Sequence, residues 1–268
     1  MYILLFLVVA FSFGKMNERI NATIVGHSYV ARLERGFEEG RFVARGPRGL
    51  RYNFIGVGGG RVHPPGCYKS MFRSVEEIRR RRPEIVFLHC GENDIGTPGI
   101  DYYDIVESMV NLITRIATEC QPEFLVVSQL TKFPAHGIRG ALAKQITKRL
   151  EQWAGNRGNH VGNTRIKIWN HDIKINRTTG ARFFCPDDVH LNAKGMRKYY
   201  KSVVAAVGRY SCIVLEERQA KSESKCFRLS FYISAVIIID VSNSQLLYFV
   251  TSMTLFLFKL KKGEEGVI

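Results

Sequence analysis

Between positions 22 and 207, short apolar runs alternate with longer stretches in which apolar residues recur every three or four positions. The short runs, at 22–26, 52–57, 84–90, 124–130 and 165–169, are rich in β-branched and aromatic residues and read as strands. Two of them contain the unbroken series Ile85-Val86-Phe87-Leu88 and Phe124-Leu125-Val126-Val127, as expected of strands covered on both faces. The spaced stretches predict helices at 70–82, 102–119, 138–153 and 193–207. In the second, Ile105, Met109, Leu112 and Ile116 form one apolar stripe, a core-packing signal. Strands alternating with helices predict a parallel sheet with crossover connections. The expected fold is therefore a three-layer α/β/α sandwich with a five-stranded, flavodoxin-like sheet in the order 2-1-3-4-5. Ligand crevices in such sheets open at the carboxyl ends of the strands, so chemistry is sought in the loops that follow them.

The pattern changes at both ends, which divides the chain into an apolar segment at 1–19, the α/β domain at 20–210, and a charged linker with an apolar tail at 211–268. Positions 1–13 are almost wholly apolar and Ala10-Phe11-Ser12 offers small residues for cleavage, as in a short signal peptide, but a basic start is missing. Met16 is an alternative start. Use of Met16 implies an intracellular soluble protein, and use of the apolar segment a secreted or membrane-associated one. The apolar tail, 227–258, is interrupted by Asp240, Ser242, Asn243, Ser244 and Gln245. Its longest clean run, 246–258, is shorter than the roughly 20 residues that span a bilayer, so a marginal membrane anchor competes with a misread exon or an extra packing segment. Asn21-Ala22-Thr23 and Asn176-Arg177-Thr178 fit glycosylation acceptors in a secreted chain.

A net charge of +15 over 268 residues suits an acidic partner such as nucleic acid, anionic lipid or sulfated sugar. The densest basic run, Arg79, Arg80, Arg81 and Arg82, closes a predicted helix before Pro83, where cations complement the helix end. No nucleic-acid-binding signature accompanies the charge, which leaves a nucleic-acid scaffold as a minority reading. The six cysteines, at 67, 90, 120, 185, 212 and 226, form no C-x-x-C pair and lie at no zinc spacing. Cys90, inside an apolar run, reads as a buried thiol. The glycines from Gly56 do not complete a dinucleotide fingerprint, no phosphate-binding P-loop occurs, and the seven histidines form no H-E-x-x-H. No cofactor or metal is implied.

Four segments lie at strand ends. Gly26-His27-Ser28 follows the first strand, where a serine hydroxyl can face the crevice. Gly56-Val57-Gly58-Gly59-Gly60-Arg61 follows the second and lets backbone amides approach an anion. Gly91-Glu92-Asn93-Asp94 follows the third and supplies an asparagine amide. Asp187-Asp188-Val189-His190-Leu191-Asn192 precedes the last helix, and a carboxylate three residues before a histidine can fold back onto its ring. Each alone is ordinary turn or capping chemistry, with Asp188 or Asn192 as a helix cap. Together, in this order along one sheet edge, they predict an acyl-transfer site.

These segments resemble the conserved blocks of the SGNH (GDSL-like) hydrolase superfamily, over about residues 20–208. The resemblance implies a Ser28 nucleophile, His190 as base, Asp187 orienting that base, and an oxyanion hole of the Ser28 and Gly60 amides with the Asn93 side chain, Gly59 being the other register. It implies cleavage of a small-molecule ester through a covalent acyl-enzyme without a cofactor. The family's usual Gly-Asp-Ser is Gly-His-Ser here, so His27 replaces an acidic neighbour of the serine. A packed or exposed His27 outweighs one that contacts the site, and a non-catalytic ligand-binding protein that keeps the crevice is the alternative reading.

Overall fold

The most apolar runs form the centre of the sheet: every residue of β3 (Ile85–His89) and of β4 (Phe124–Ser128) is buried. Strand β1 (Ile20–Gly26) pairs with β3 on one side and with β2 (Leu50–Gly56) on the other, all in parallel. On the far side β4 pairs in parallel with β6 (Thr164–Trp169). The two-residue strand β5 (His160–Val161) adds an antiparallel edge, so the order is β2-β1-β3-β4-β6-β5. The five expected strands keep their expected order. The sixth is a correction to the strand count, too short to leave an alternating pattern.

The computed structural model describes residues 19–43, 46–47, 49–131, 137–171, 183–187 and 190–240, with side chains as far as 225 and at 227. The leader-like segment at 1–13, Met16, Asp188, the acceptor pattern at 176–178 and the tail beyond 240 lie outside the described residues. The chain divides into one compact unit, 17–214, and a second made of 1–16 and 215–268. Among the described residues no helix is long and apolar enough to cross a membrane.

Helices cover both faces of the sheet. On one side Val86, Leu88, Leu125 and Val127 enter a core with residues of α2 (Ser74–Arg81), α3 (Tyr102–Glu119) and α4 (Gly137–Asn156). On the other lie α1 (Ser28–Glu38) and the start of α5 (Ala193–Asp240), with Tyr199 against His89 and Tyr210 against Phe124. Helix α3 has its expected bounds because Asp101 and Asp104 form a capping box at its start.

Three helices depart from expectation. The stretch at 70–82 begins with a 3₁₀ turn, Met71–Arg73, before α2. Helix α1, which sequence periodicity did not single out, buries Tyr29, Val30 and Leu33. The helix expected to end at 207 continues to Asp240. The polar stretch 216–225 contains no glycine or proline, and its Glu, Arg, Gln, Ala and Lys residues are good helix formers. The basic run is paired locally, Arg79 with Glu76 and Arg80 and Arg81 with Glu77.

Candidate active site

The carboxyl ends of β1 and β3 meet in register, Gly26 opposite His89. A Cβ on Gly26 would collide with the His89 carbonyl and the Val30 side chain, so glycine is what lets β1 turn into α1 here. His27 is the N-cap of α1, its carbonyl accepting from Val30 and Ala31 at 3.0 and 3.1 Å. Ser28 is therefore the first residue of a helix, where backbone N–H groups have no intrahelical acceptor and the helix dipole favours negative charge.

The glycine segment forms a tight turn: the Gly60 amide donates to Val57 O at 2.8 Å, and Gly59 takes a φ of +69°, a conformation that favours glycine. In this conformation the Gly60 amide serves the turn. Asn93 donates from Nδ2 to Gly60 O at 2.9 Å, which ties the third strand-end loop to the second and leaves one amide hydrogen for another acceptor. Buried Asp94 anchors the next residues, accepting from the Val62 and His63 amides at 3.0 Å each. Burial pushes its carboxyl up and those two donors work against the rise. Beside Asn93 lies a cleft of about 270 Å³, lined in part by Arg61, Thr97 and Arg139.

Asp187 and His190 sit on a narrow loop closed by Cys185 N–H to His190 O (2.6 Å), Asn192 N–H to Phe183 O (2.9 Å) and a Phe184–Leu191 bridge. Asp187 grips His190 twice, accepting from its backbone N–H at 2.9 Å and meeting ring Nδ1 at 2.7 Å. With Nδ1–H donated to the carboxylate, Nε2 is the ring's proton acceptor. Asn192 caps α5, its Oδ1 accepting from the Lys194 and Gly195 amides at 2.9 and 3.1 Å. Arg32, one turn after Ser28, donates to Leu191 O at 3.4 Å and so links α1 to the residue after His190.

The Ser28 hydroxyl meets a different imidazole. Its Oγ lies 3.3 Å from His27 Nδ1, and among the described residues no hydrogen bond joins it to His190. His27 Nε2 lies 2.9 Å from Glu92 Oε2, and His89 Nε2 lies 2.6 Å from Glu92 Oε1. Glu92 Oε1 also accepts the Thr131 amide at 2.8 Å, and His89 Nδ1 meets the Tyr199 hydroxyl at 2.8 Å. His171 stacks on His89 with ring centres 5.5 Å apart, its nitrogens on Ser128 and Ser202 at 2.7 and 2.8 Å. Burial lowers the titration of His89 and brings His171 down to about 3. Burial alone would raise Glu92, but the surrounding imidazoles outweigh it and hold the carboxyl well below its usual range.

His27, His89 and Glu92 offer two imidazoles and a carboxylate within 4.8 Å of one another, a set that could ligate zinc in principle. Ligands about 2.1 Å from a tetrahedral ion stand roughly 3.4 Å apart. The N···O separations of 2.6 and 2.9 Å are hydrogen-bond lengths, so the cluster is filled by protons and does not fit an ion as it stands. Sequence reasoning did not assign Glu92, His89, His171 or Tyr199 to any site. The available signal was a histidine at or just beyond the carboxyl end of three predicted strands.

At the sequence level no family model and no curated protein matches the chain. Solved structures do. A catalytic mutant of an acetylxylan esterase from Geobacillus stearothermophilus is similar with a TM-score of 0.53 at 12% identity, over 72% of this chain and 97% of that one. A GDSL-like lipase from Bacteroides thetaiotaomicron is similar with a TM-score of 0.51 at 12% identity, over 75% and 96%. Identities this low speak to architecture: the chain has the fold of the SGNH, or GDSL-like, hydrolases.

Proposed function

We propose that this protein is a serine esterase in which Ser28 attacks an ester carbonyl, His190 takes the hydroxyl proton and Asp187 holds His190 in the tautomer that can do so. The observation that carries the reading is the double grip of Asp187 on His190, by backbone and ring, on a loop linked to the Ser28 helix through Arg32. The Ser28 amide, at the start of α1, and the second Asn93 amide hydrogen are the donors for the developing oxyanion. The Gly60 amide joins them only if its bond to Val57 opens. Water on His190 then releases the acyl group, and the step needs no cofactor. The fold likeness to an esterase and a lipase agrees with this class of reaction.

One observation favours a second reading, a ligand-binding protein that retains the crevice without turnover: the Ser28 hydroxyl bonds to His27 and not to His190. Hydrolysis of p-nitrophenyl acetate and butyrate by the wild type, Ser28→Ala and His190→Ala separates the two. The esterase reading expects both variants to lose at least about 10³-fold in kcat. Equal rates in all three would leave the binding reading.

A further inference from the structure

The contacts of Glu92 determine where the protons on the buried imidazoles lie. The carboxylate can only accept, and an imidazole nitrogen faces each of its oxygens, at 2.9 Å from His27 and 2.6 Å from His89. Both Nε2 atoms must therefore carry hydrogen. The opposite tautomer of His27 would set a bare nitrogen lone pair against a carboxylate oxygen with no water to intervene, an arrangement with no compensating donor. In the neutral ring His27 Nδ1 is then the lone pair, and the orientation in which the 3.3 Å contact to Ser28 is a hydrogen bond has the serine O–H donating to it. His89 follows the same rule, with Nδ1 accepting from the Tyr199 hydroxyl. Hydroxyl, imidazole and carboxylate thus stand in line, Ser28 to His27 to Glu92, apart from the Asp187–His190 pair.

We propose that His27, backed by Glu92, is a second proton acceptor for the Ser28 hydroxyl, one that supports acylation but not release of the acyl group. The inference rests on Ser28 being the nucleophile. As the Ser28 Oγ–C bond forms, the O–H bond breaks, the proton passes to His27 Nδ1, and the carbonyl π pair moves to the ester oxygen. Collapse of that oxyanion restores the carbonyl and expels the leaving group. A leaving group that departs as a stable anion, such as p-nitrophenolate, needs no proton from the enzyme. The new imidazolium lies against the Glu92 carboxylate, which offsets its charge in the low-dielectric interior. Deacylation needs a base that can meet incoming water. His27 is 2% exposed, whereas the His190 side chain is 31% exposed, so release depends on His190.

The test is the pre-steady-state reaction with p-nitrophenyl acetate in a His190→Ala background. His190→Ala is expected to release about one equivalent of p-nitrophenolate per chain in a burst, to carry acetyl on Ser28 by peptide mass spectrometry, and then to stall. In His190→Ala/His27→Gln the burst rate is expected to fall at least tenfold, the lower part of what a positioned base contributes, roughly 10²–10⁴. Glutamine keeps hydrogen-bonding groups beside Ser28 but accepts no proton, so equal burst rates in the two variants would overturn the proposal and assign His27 a packing role. Failure of the esterase reading looks different: wild-type protein would show no Ser28-dependent hydrolysis at all. Should the glutamine variant fail to fold by circular dichroism, imidazole ¹⁵N NMR of the wild type decides. Protonated Nε2 and bare Nδ1 on His27 support the proposal, and a protonated Nδ1, whether Nε2 is bare or protonated, overturns it.

Discussion

The Asp187–His190 and Glu92–His27 pairs have similar lengths, 2.7 and 2.9 Å, in opposite surroundings. The outer pair lies on a loop with side chains 49% and 31% exposed, and the inner pair joins the end of β1 to the loop after β3 with both side chains 2% exposed. Exposure lets the outer imidazole exchange protons with water, as the proposed hydrolysis would require at every turnover. Burial ties the inner imidazole to its partners: Glu92 also holds His89 and the Thr131 amide, so its removal would strand three donors without water to replace it. The same chemical pair is open to water in one place and sealed from it in the other, and on the proposed reading that difference decides which imidazole can serve the incoming water.

The sharpest way to test that contrast is to remove each carboxylate. Asp187→Ala should lower kcat about 10³–10⁴-fold by freeing the His190 tautomer. Its unfolding free energy should stay within about 1 kcal/mol of wild type, the usual worth of an exposed ion pair. Glu92→Ala should instead destabilise by about 3–5 kcal/mol, as breaking a buried charged network does, measured by urea denaturation. Similar stability losses in the two variants would dissolve the contrast.

A smaller effect follows from pH. Burial depresses the titration of His89, and that of His171 to about 3, whereas the unfolded chain takes up these protons near pH 6.5. The unfolded state therefore binds more protons below about pH 6.5. Each histidine should remove up to about 1.4 kcal/mol of stability per pH unit as the pH falls, until His171 itself protonates near 3. Glu92, with its depressed folded-state value, contributes stability above the ordinary carboxylate range and loses it only at lower pH. The unfolding midpoint should thus begin to drop between pH 6.5 and 5, before most carboxylates titrate. His171→Asn should make that slope shallower, and an unchanged slope would remove the buried histidines as its cause. The smallest effect expected is for Arg32→Ala, which breaks a 3.4 Å contact to Leu191 O. A few-fold loss in kcat/KM with unchanged stability would sharpen the link between α1 and the outer loop.

The two pairs also differ in how far they could be read from the amino-acid order. Asp187 and His190 are three residues apart, so a local spacing exposes them, as the capping box at Asp101 and the stripe from Ile105 to Ile116 expose α3. The inner network joins positions 27, 89, 92, 131 and 199, and no window of sequence contains it. The β1–β3 register, which sets Gly26 opposite His89, brings His27 to His89 and Glu92, while the pairing of β4 with β3 and the packing of α5 on the sheet supply Thr131 and Tyr199. Helix α1 escaped notice because it starts directly at the end of a strand. The continuation of α5 to Asp240 escaped because a change in polarity was read as a boundary, although polar residues without glycine or proline propagate a helix as well as apolar ones. The Gly60 amide illustrates a further limit, since glycine spacing announces a turn but not which N–H the turn itself consumes.

Covalent capture of the nucleophile tests the central claim most directly. Wild-type protein incubated with a fluorophosphonate should gain one phosphonyl group per chain, located on Ser28 by peptide mass spectrometry, while Ser28→Ala stays unlabelled and His190→Ala labels more slowly. Absence of labelling on a folded wild-type chain, or equal labelling of Ser28→Ala, would contradict the account.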